Sequence, residues 1–230
     1  MTTMGEEPRI RRQIVEALQR MAGLGLNRGT AGNISVRAPD GFYISPTGLD
    51  YAGMTPEQIV RVRWDGGYDG DIVPSSEWRF HRDVLQARPE FNAVVHTHSI
   101  HATAVSILEH DLPAIHYMVA TAGGRDIRCA RYATFGSAEL GASILVALRG
   151  RRACLMAHHG VLAAHTTLER ALALAVTVEE MAQLYLQVLP HGPLKVLPDD
   201  EMQRVLEKFE TYGQPLSAAS LSRRGGRGPG

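Results

Sequence analysis

The chain is predicted to fold as an α/β layered domain around a mixed sheet, on three features of the sequence. Short apolar or alternating runs at 34–37, 42–44, 59–64, 93–96 and 153–157 are interleaved with segments of helical periodicity. Asp40-Gly41 stands between two of those runs as a two-residue hairpin turn, so the sheet is not purely parallel. No repeat or linker divides the 230 residues, a length that can bury one sizeable core.

Each element has its own justification. Ile10, Ile14, Leu18 and Met21 recur at helical spacing over 8–24, and Gly23 with Gly25 ends that run. Ser45-Pro46-Thr47-Gly48 is a turn-rich corner before the 59–64 strand. Glu77 to Gln86 is predicted helical, with Pro89 as its stop, and β-branched Val94 and Val95 mark the strand that follows. Helices are expected over 99–108, 137–148 and 166–189, the last with a broad apolar face, and another from near Asp199. Residues 113–118 form a connection or short strand.

Composition excludes some functions. Twenty-four Lys plus Arg balance twenty-four Asp plus Glu, so the formal net charge is zero and nothing pulls the whole chain toward nucleic acid or an anionic membrane. Two cysteines, Cys129 and Cys154, stand in no metal-ligand spacing, and their scarcity suits a reduced, cytoplasmic protein. There is no apolar leader pattern at the start and no run of eighteen apolar residues, so neither secretion nor membrane spanning is expected. From about Ser217 the composition turns to Ser, Arg, Gly and Pro; that tail is expected to be disordered, its arginines solvated.

Chemistry concentrates in Pro74 to His98. An H-x-H pair at a strand end, His96 and His98, aims two imidazoles at one point, because residues two apart share a face. A catalytic zinc commonly takes three protein ligands and keeps an open position. The third is sought in His158-His159-Gly160, where neighbours on a strand point opposite ways, so one of the two histidines serves and spacing leaves the choice open. Glu77 is the candidate carboxylate for proton exchange beside such a metal. Gly29-Thr30-Ala31-Gly32-Asn33, Thr47-Gly48 and Ser75-Ser76 offer neutral donors, and the two serines precede a helix whose N-terminus favours an anion. Together they can cradle a phosphate without Lys or Arg. His81, one turn after Glu77, either orients it or has a surface or capping role; Trp78 and Phe80 are read as core. No partner is legible for His101, His110, His116, His165 or His191, nor a role for the cysteines.

GLNRGTAGNISVR (25–37), SPTG (45–48), PSSEWRFH (74–81), AVVHTH (93–98), PAIHYM (113–118), YATFG (132–136), HHG (158–160) and EKFETYG (207–213) closely resemble, in order, the motifs of the class II aldolase and adducin head family. The likeness runs from about residue 8 to 213. It implies one three-layer α/β/α domain over 1–213 with a central mixed, largely antiparallel sheet, and a separate tail over 214–230. It also implies one zinc per subunit on His96, His98 and His159, with Glu77 as the catalytic carboxylate that approaches the metal when substrate is absent. The phosphate site falls on Thr30, Ala31, Gly32, Asn33, Thr47, Gly48, Ser75 and Ser76. Tyr117 matches a catalytic tyrosine reaching a neighbouring subunit's site, and Phe135 and Tyr212 match residues on the aldehyde side. The implied activity is reversible cleavage of L-fuculose 1-phosphate to dihydroxyacetone phosphate and L-lactaldehyde by a homotetramer with no nucleic-acid or membrane partner. The nearest rival is epimerisation of L-ribulose 5-phosphate, although such enzymes carry aspartate in place of the glutamate. A second rival is an aldolase acting on 5-deoxypentulose 1-phosphates, and a methylthioribulose-phosphate dehydratase stands behind both. A non-enzymatic adducin-like module is expected to lack the full metal set, which this chain retains.

Overall fold

Seven strands form one sheet in the order β3-β2-β1-β4-β7-β6-β5. In chain order they are β1 (Asn33–Ala38), β2 (Gly41–Ile44), β3 (Val60–Arg63), β4 (Ala93–Thr97), β5 (Cys129–Ala130), β6 (Ala153–Met156) and β7 (Gly160–His165). The α-helices are α1 (Glu6–Gly23), α2 (Trp78–Ala87), α3 (Ile100–Ser106), α4 (Ala138–Ala147), α5 (Leu168–Val188) and α6 (Asp199–Thr211). This is a computed structural model, and it describes residues 5–211; the expected tail over 214–230 lies outside them. Every pairing is antiparallel except β5 with β6.

Strand alternation sorts the apolar side chains into two cores, as a period of two requires. Ala93 and Val95 of β4, Val161 and Ala163 of β7 and Tyr43 of β2 enter one core with α1, α3 and α5. Val94, Leu162, Ala164, Phe42 and Ile44 enter the other, beneath α2 and α4. The sheet is therefore the middle of three layers, as expected. By length and composition the segment Leu168–His191 is apolar enough to cross a membrane. Its residues Ala171, Leu172, Ala175 and Val178 are buried in the first core, so this apolar character serves packing against the sheet.

The structure departs from the sequence reading at three places. β7 and β5 were not predicted as strands: β7 reads Gly-Val-Leu-Ala-Ala-His and is buried on both faces, so it shows neither alternation nor β-branched density. Glu77 is the N-cap of α2 rather than its first helical residue. His158 and His159 lie in the tight turn joining β6 to β7, not on a strand, with His158 in the left-handed region at φ 54°. A non-glycine residue there carries strain of about 1 kcal/mol or more.

Gly160 opens β7 immediately after that turn. A Cβ on it would stand 2.3 Å from the Thr97 carbonyl oxygen, a backbone atom that cannot swing away. Gly160→Ala is expected to lower stability by about 2 kcal/mol in urea melts, whereas Gly53→Ala, which meets nothing within 4 Å, leaves it nearly unchanged.

Candidate metal centre and substrate cleft

Four side chains from three regions converge. His96 projects from β4, His98 follows one residue after the strand ends, His159 comes from the β6–β7 turn, and Glu77 caps α2. Their potential ligand atoms all lie within 4.8 Å of one another. The β4–β7 register, which sets His96 opposite Leu162 and Thr97 opposite Val161, brings the β6–β7 turn alongside the end of β4. Of the two histidines that spacing left open, His159 faces the cluster. His158 turns its Nε2 to Glu109, 2.7 Å away.

The electrostatics of the cluster call for a cation. His96 Nδ1 donates to the Val161 carbonyl at 2.9 Å, which in the neutral ring leaves a lone pair on Nε2. That Nε2 stands 3.2 Å from Glu77 Oε2 and 2.9 Å from His98 Nε2. Glu77 is only 6% exposed, and its Oε1 has no hydrogen-bond partner, although His159 Nε2 lies 3.0 Å away without the alignment of a hydrogen bond. A protonated His96 would answer one of these contacts and still leave Oε1 orphaned, at a cost of about 1–3 kcal/mol or more. One divalent ion answers all four donors, and three imidazoles with a carboxylate are a donor set suited to it. Burial alone would raise the Glu77 carboxyl, but the imidazoles of His96 and His159 outweigh it and hold the group well below the usual carboxylate range. Burial, reinforced by His96 and His159, lowers His98 to about 3, so its ring is neutral and free to ligate near neutral pH.

Residues behind the cluster fix its geometry, and of these Asn27, Ser35 and Tyr51 are unremarked in the sequence. Asn27 Oδ1 accepts the His98 backbone N–H at 2.7 Å. Gly32, at φ 79°, lets the 29–33 loop approach β4 so closely that a Cβ would lie 2.7 Å from the His96 carbonyl oxygen. The buried Tyr51 hydroxyl faces three consecutive carbonyls, with Gly32 O at 2.6 Å, and draws that edge of the loop inward. Asn33 Nδ2 donates to Glu77 Oε2 at 2.9 Å. His81 is not a surface or capping residue: it is fully buried, with Nε2 against Asn33 Oδ1 and Nδ1 against Ser35 Oγ. Burial lowers its pKa to about 3, so the ring stays neutral. The signal for Ser35 and His81 is a polar residue at an inward position, unreadable until the facing elements are known.

The cluster opens into a cleft of about 320 Å³. Thr30, Ala31, Gly32, Asn33, Thr47, Gly48, Ser75 and Ser76 line one part of it, and Tyr132, Phe135 and His158 also line it. Backbone bonds from Thr47 N to Val73 O and from Ser75 N to Ser45 O stitch the two loops together. No lysine or arginine is among the described lining residues, so an anion at the Thr30, Thr47 and Ser75 end of the cleft meets neutral donors and the start of α2. Tyr117 does not line this cleft; it is 48% exposed and stacks on Phe209 of α6. Phe135 is 66% exposed, and Tyr212 lies outside the described residues. Among the other histidines, His101 Nδ1 pairs with Glu179 at 2.7 Å, and His110 lies 3.3 Å from the Tyr185 hydroxyl.

Residues 12–186 match the model of the Class II Aldolase and Adducin N-terminal domain. The chain belongs to the class II aldolase and adducin family. It is 52% identical over 209 residues to an L-fuculose phosphate aldolase of Escherichia coli K12, covering 90% of this chain and 97% of that one. It is 51% identical, also over 209 residues, to a 5-methylthioribulose-1-phosphate/5-deoxyribulose-1-phosphate aldolase of Rhodospirillum rubrum, covering 91% and 95%. A solved structure titled L-fuculose 1-phosphate aldolase superposes with a TM-score of 0.85 at 36% identity, over 88% of this chain and 96% of that one. The protein is thus a class II aldolase, of the metal-dependent kind.

His159→Ala is expected to weaken divalent-metal binding by two orders of magnitude or more, beyond the roughly 10–100-fold typical of residues behind the ligands. His158→Ala is expected to leave it within a few-fold. Calorimetric titration of the metal-free variants reads both.

Proposed function

We propose that the protein cleaves L-fuculose 1-phosphate reversibly into dihydroxyacetone phosphate and L-lactaldehyde, with one zinc per subunit held by His96, His98 and His159 and approached by Glu77. The observation that carries this reading is the Glu/His cluster beside a cleft partly lined by neutral donors, an arrangement that suits carbanion chemistry next to a bound phosphate. When bound, the metal supplies the Lewis acidity that takes up negative charge as the carbon–carbon bond breaks.

The chain's own residues do the rest. Thr30, Ala31, Gly32, Asn33, Thr47, Gly48, Ser75 and Ser76 hold the phosphate through hydroxyl and backbone N–H donors. Tyr117 of a neighbouring copy, in a homotetramer, takes the proton of the fourth-carbon hydroxyl as that carbon becomes the aldehyde. Glu77 delivers a proton to the carbon of the three-carbon phosphate freed by cleavage, and removes it in the reverse direction. Phe135 and Tyr212 flank the aldehyde. Two free cysteines, Cys129 and Cys154, fit the cytoplasm as its setting.

A second reading is a 5-deoxyribulose or 5-methylthioribulose 1-phosphate substrate. It is supported by the 51% identical relative of that name and by exposed Tyr132 and Phe135, apolar surface suited to a tail without hydroxyls. Incubating metal-replete protein with these three sugar phosphates and with L-ribulose 5-phosphate, and assaying dihydroxyacetone phosphate, separates the readings. The highest kcat/KM is expected on L-fuculose 1-phosphate. Preference for a 5-substituted ribulose phosphate moves the assignment to the second reading, and epimer without triose product overturns both. Glu77→Gln is expected to retain metal and lose about two orders of magnitude or more in kcat; near-wild-type turnover would remove Glu77 from the proton transfer.

A further inference from the structure

Glu77 owes its orientation to more than the imidazoles around it. Asn33 Nδ2 donates to Glu77 Oε2 at 2.9 Å, while Asn33 Oδ1 meets His81 Nε2 at 2.5 Å. His81 Nδ1 in turn lies 2.7 Å from Ser35 Oγ. The three inner residues are almost wholly shut from solvent: Asn33 is 3% exposed, and Ser35 and His81 0%. Phe80 stacks on the His81 ring, with centroids 4.7 Å apart.

Such a chain has two self-consistent settings. In one, His81 carries its proton on Nε2, donates to Asn33 Oδ1 and accepts from the Ser35 hydroxyl, so the Asn33 amide presents its N–H to the carboxylate. In the other, His81 carries the proton on Nδ1 and donates to Ser35, Nε2 accepts from a flipped Asn33 amide, and Oδ1 faces an ionised carboxylate with no proton between them. The second setting places two acceptors in contact within a dry interior, where an unmet carboxylate oxygen is costly. Only the first satisfies every group from Ser35 to Glu77 Oε2.

We propose that Ser35 and His81 are positioning residues that lock the Asn33 amide with its N–H toward Glu77, and so hold the carboxylate at the metal centre in the orientation its proton transfer needs. Neither touches substrate in this arrangement; both act through Asn33. The link to rate rests on the proton-transfer role proposed for Glu77, whereas the amide lock itself does not. The sequence distance is wide (Ser35 on β1, His81 on α2), so the lock also ties the α2 cap to the strand next to β4.

The test has two arms. In metal-replete protein labelled with nitrogen-15, His81 is expected to be the neutral Nε2–H tautomer, and the Asn33 side-chain amide to exchange slowly with water. An Nδ1–H tautomer at His81 would overturn the proposal without any variant. In the second arm, His81→Leu is expected to speed Asn33 amide exchange at least about tenfold and to lower kcat about 10–100-fold, the range for residues supporting a metal-centre ligand, with a smaller change in KM and metal retained. His81→Gln, which restores an N–H donor near the Nε2 position, is expected to recover most of kcat. Should His81→Leu fail to fold, Ser35→Ala leaves only a small void and carries the same readout: faster Asn33 exchange and a lower kcat support the lock, and unchanged exchange overturns it. If Glu77→Gln keeps full activity while the tautomer and exchange results hold, the proton-transfer reading fails and the lock stands.

Discussion

The pairing of β4 with β7 is the constraint on which the rest of the structure depends. It sets the end of β4, with His96 and the approach to His98, beside the turn that holds His159. The same pairing supplies the Val161 carbonyl that fixes the His96 tautomer. Each strand is buried on both faces, so register is enforced by two cores at once: a slip by one residue would move Val94 and Val95, or Leu162 and Ala163, into the wrong layer. His96, His98 and His159 inherit their positions from that packing, and the left-handed backbone at His158 is the local strain accepted to turn His159 inward.

Around this pair the site is assembled from opposed requirements. The carboxylate of Glu77 is buried, which disfavours its charge, yet it is surrounded by imidazoles and by the Asn33 amide, which favour it. The second influence prevails, and the carboxylate stays ionised while Oε1 remains without a hydrogen bond. The side of the cleft lined by Thr30 to Asn33, Thr47, Gly48, Ser75 and Ser76 is built differently. Its donors are neutral loops stitched together by backbone bonds, and no described cation lines it. An anion bound there and a cation on the histidines would therefore sit side by side without a lysine or arginine to compete for Glu77.

Much of this was legible in the sequence, for physical reasons that can be named. His96 and His98 declare themselves by a period of two next to Val94 and Val95, and the Asp40-Gly41 turn gives the first hairpin. Gly29 to Asn33, Thr47-Gly48 and Ser75-Ser76 carry turn and cap chemistry that reads locally, and the order of motifs points to the family. What was not legible depends on through-space neighbours. Spacing alone does not choose between His158 and His159, which needs the backbone of a turn that reads like a strand; the family resemblance points to His159, and it is His159 that joins the cluster. β7 hides because a strand buried on both faces loses its alternation. His81, Ser35, Asn27 and Tyr51 look like ordinary polar residues until the sheet closes over them. Tyr117 stands away from the cleft of its own chain, so its proposed role belongs to a neighbouring copy, and Tyr212 lies outside the described residues.

The central claim is that Glu77, His96, His98 and His159 enclose one divalent ion. Anomalous diffraction from crystals of protein purified without chelators, collected above and below the zinc absorption edge, tests it most directly. A single strong peak is expected per chain, about 2.0–2.1 Å from a ring nitrogen of each of the three histidines. Fully active protein with no anomalous peak at that cluster, or with its peak at another site, would contradict the account.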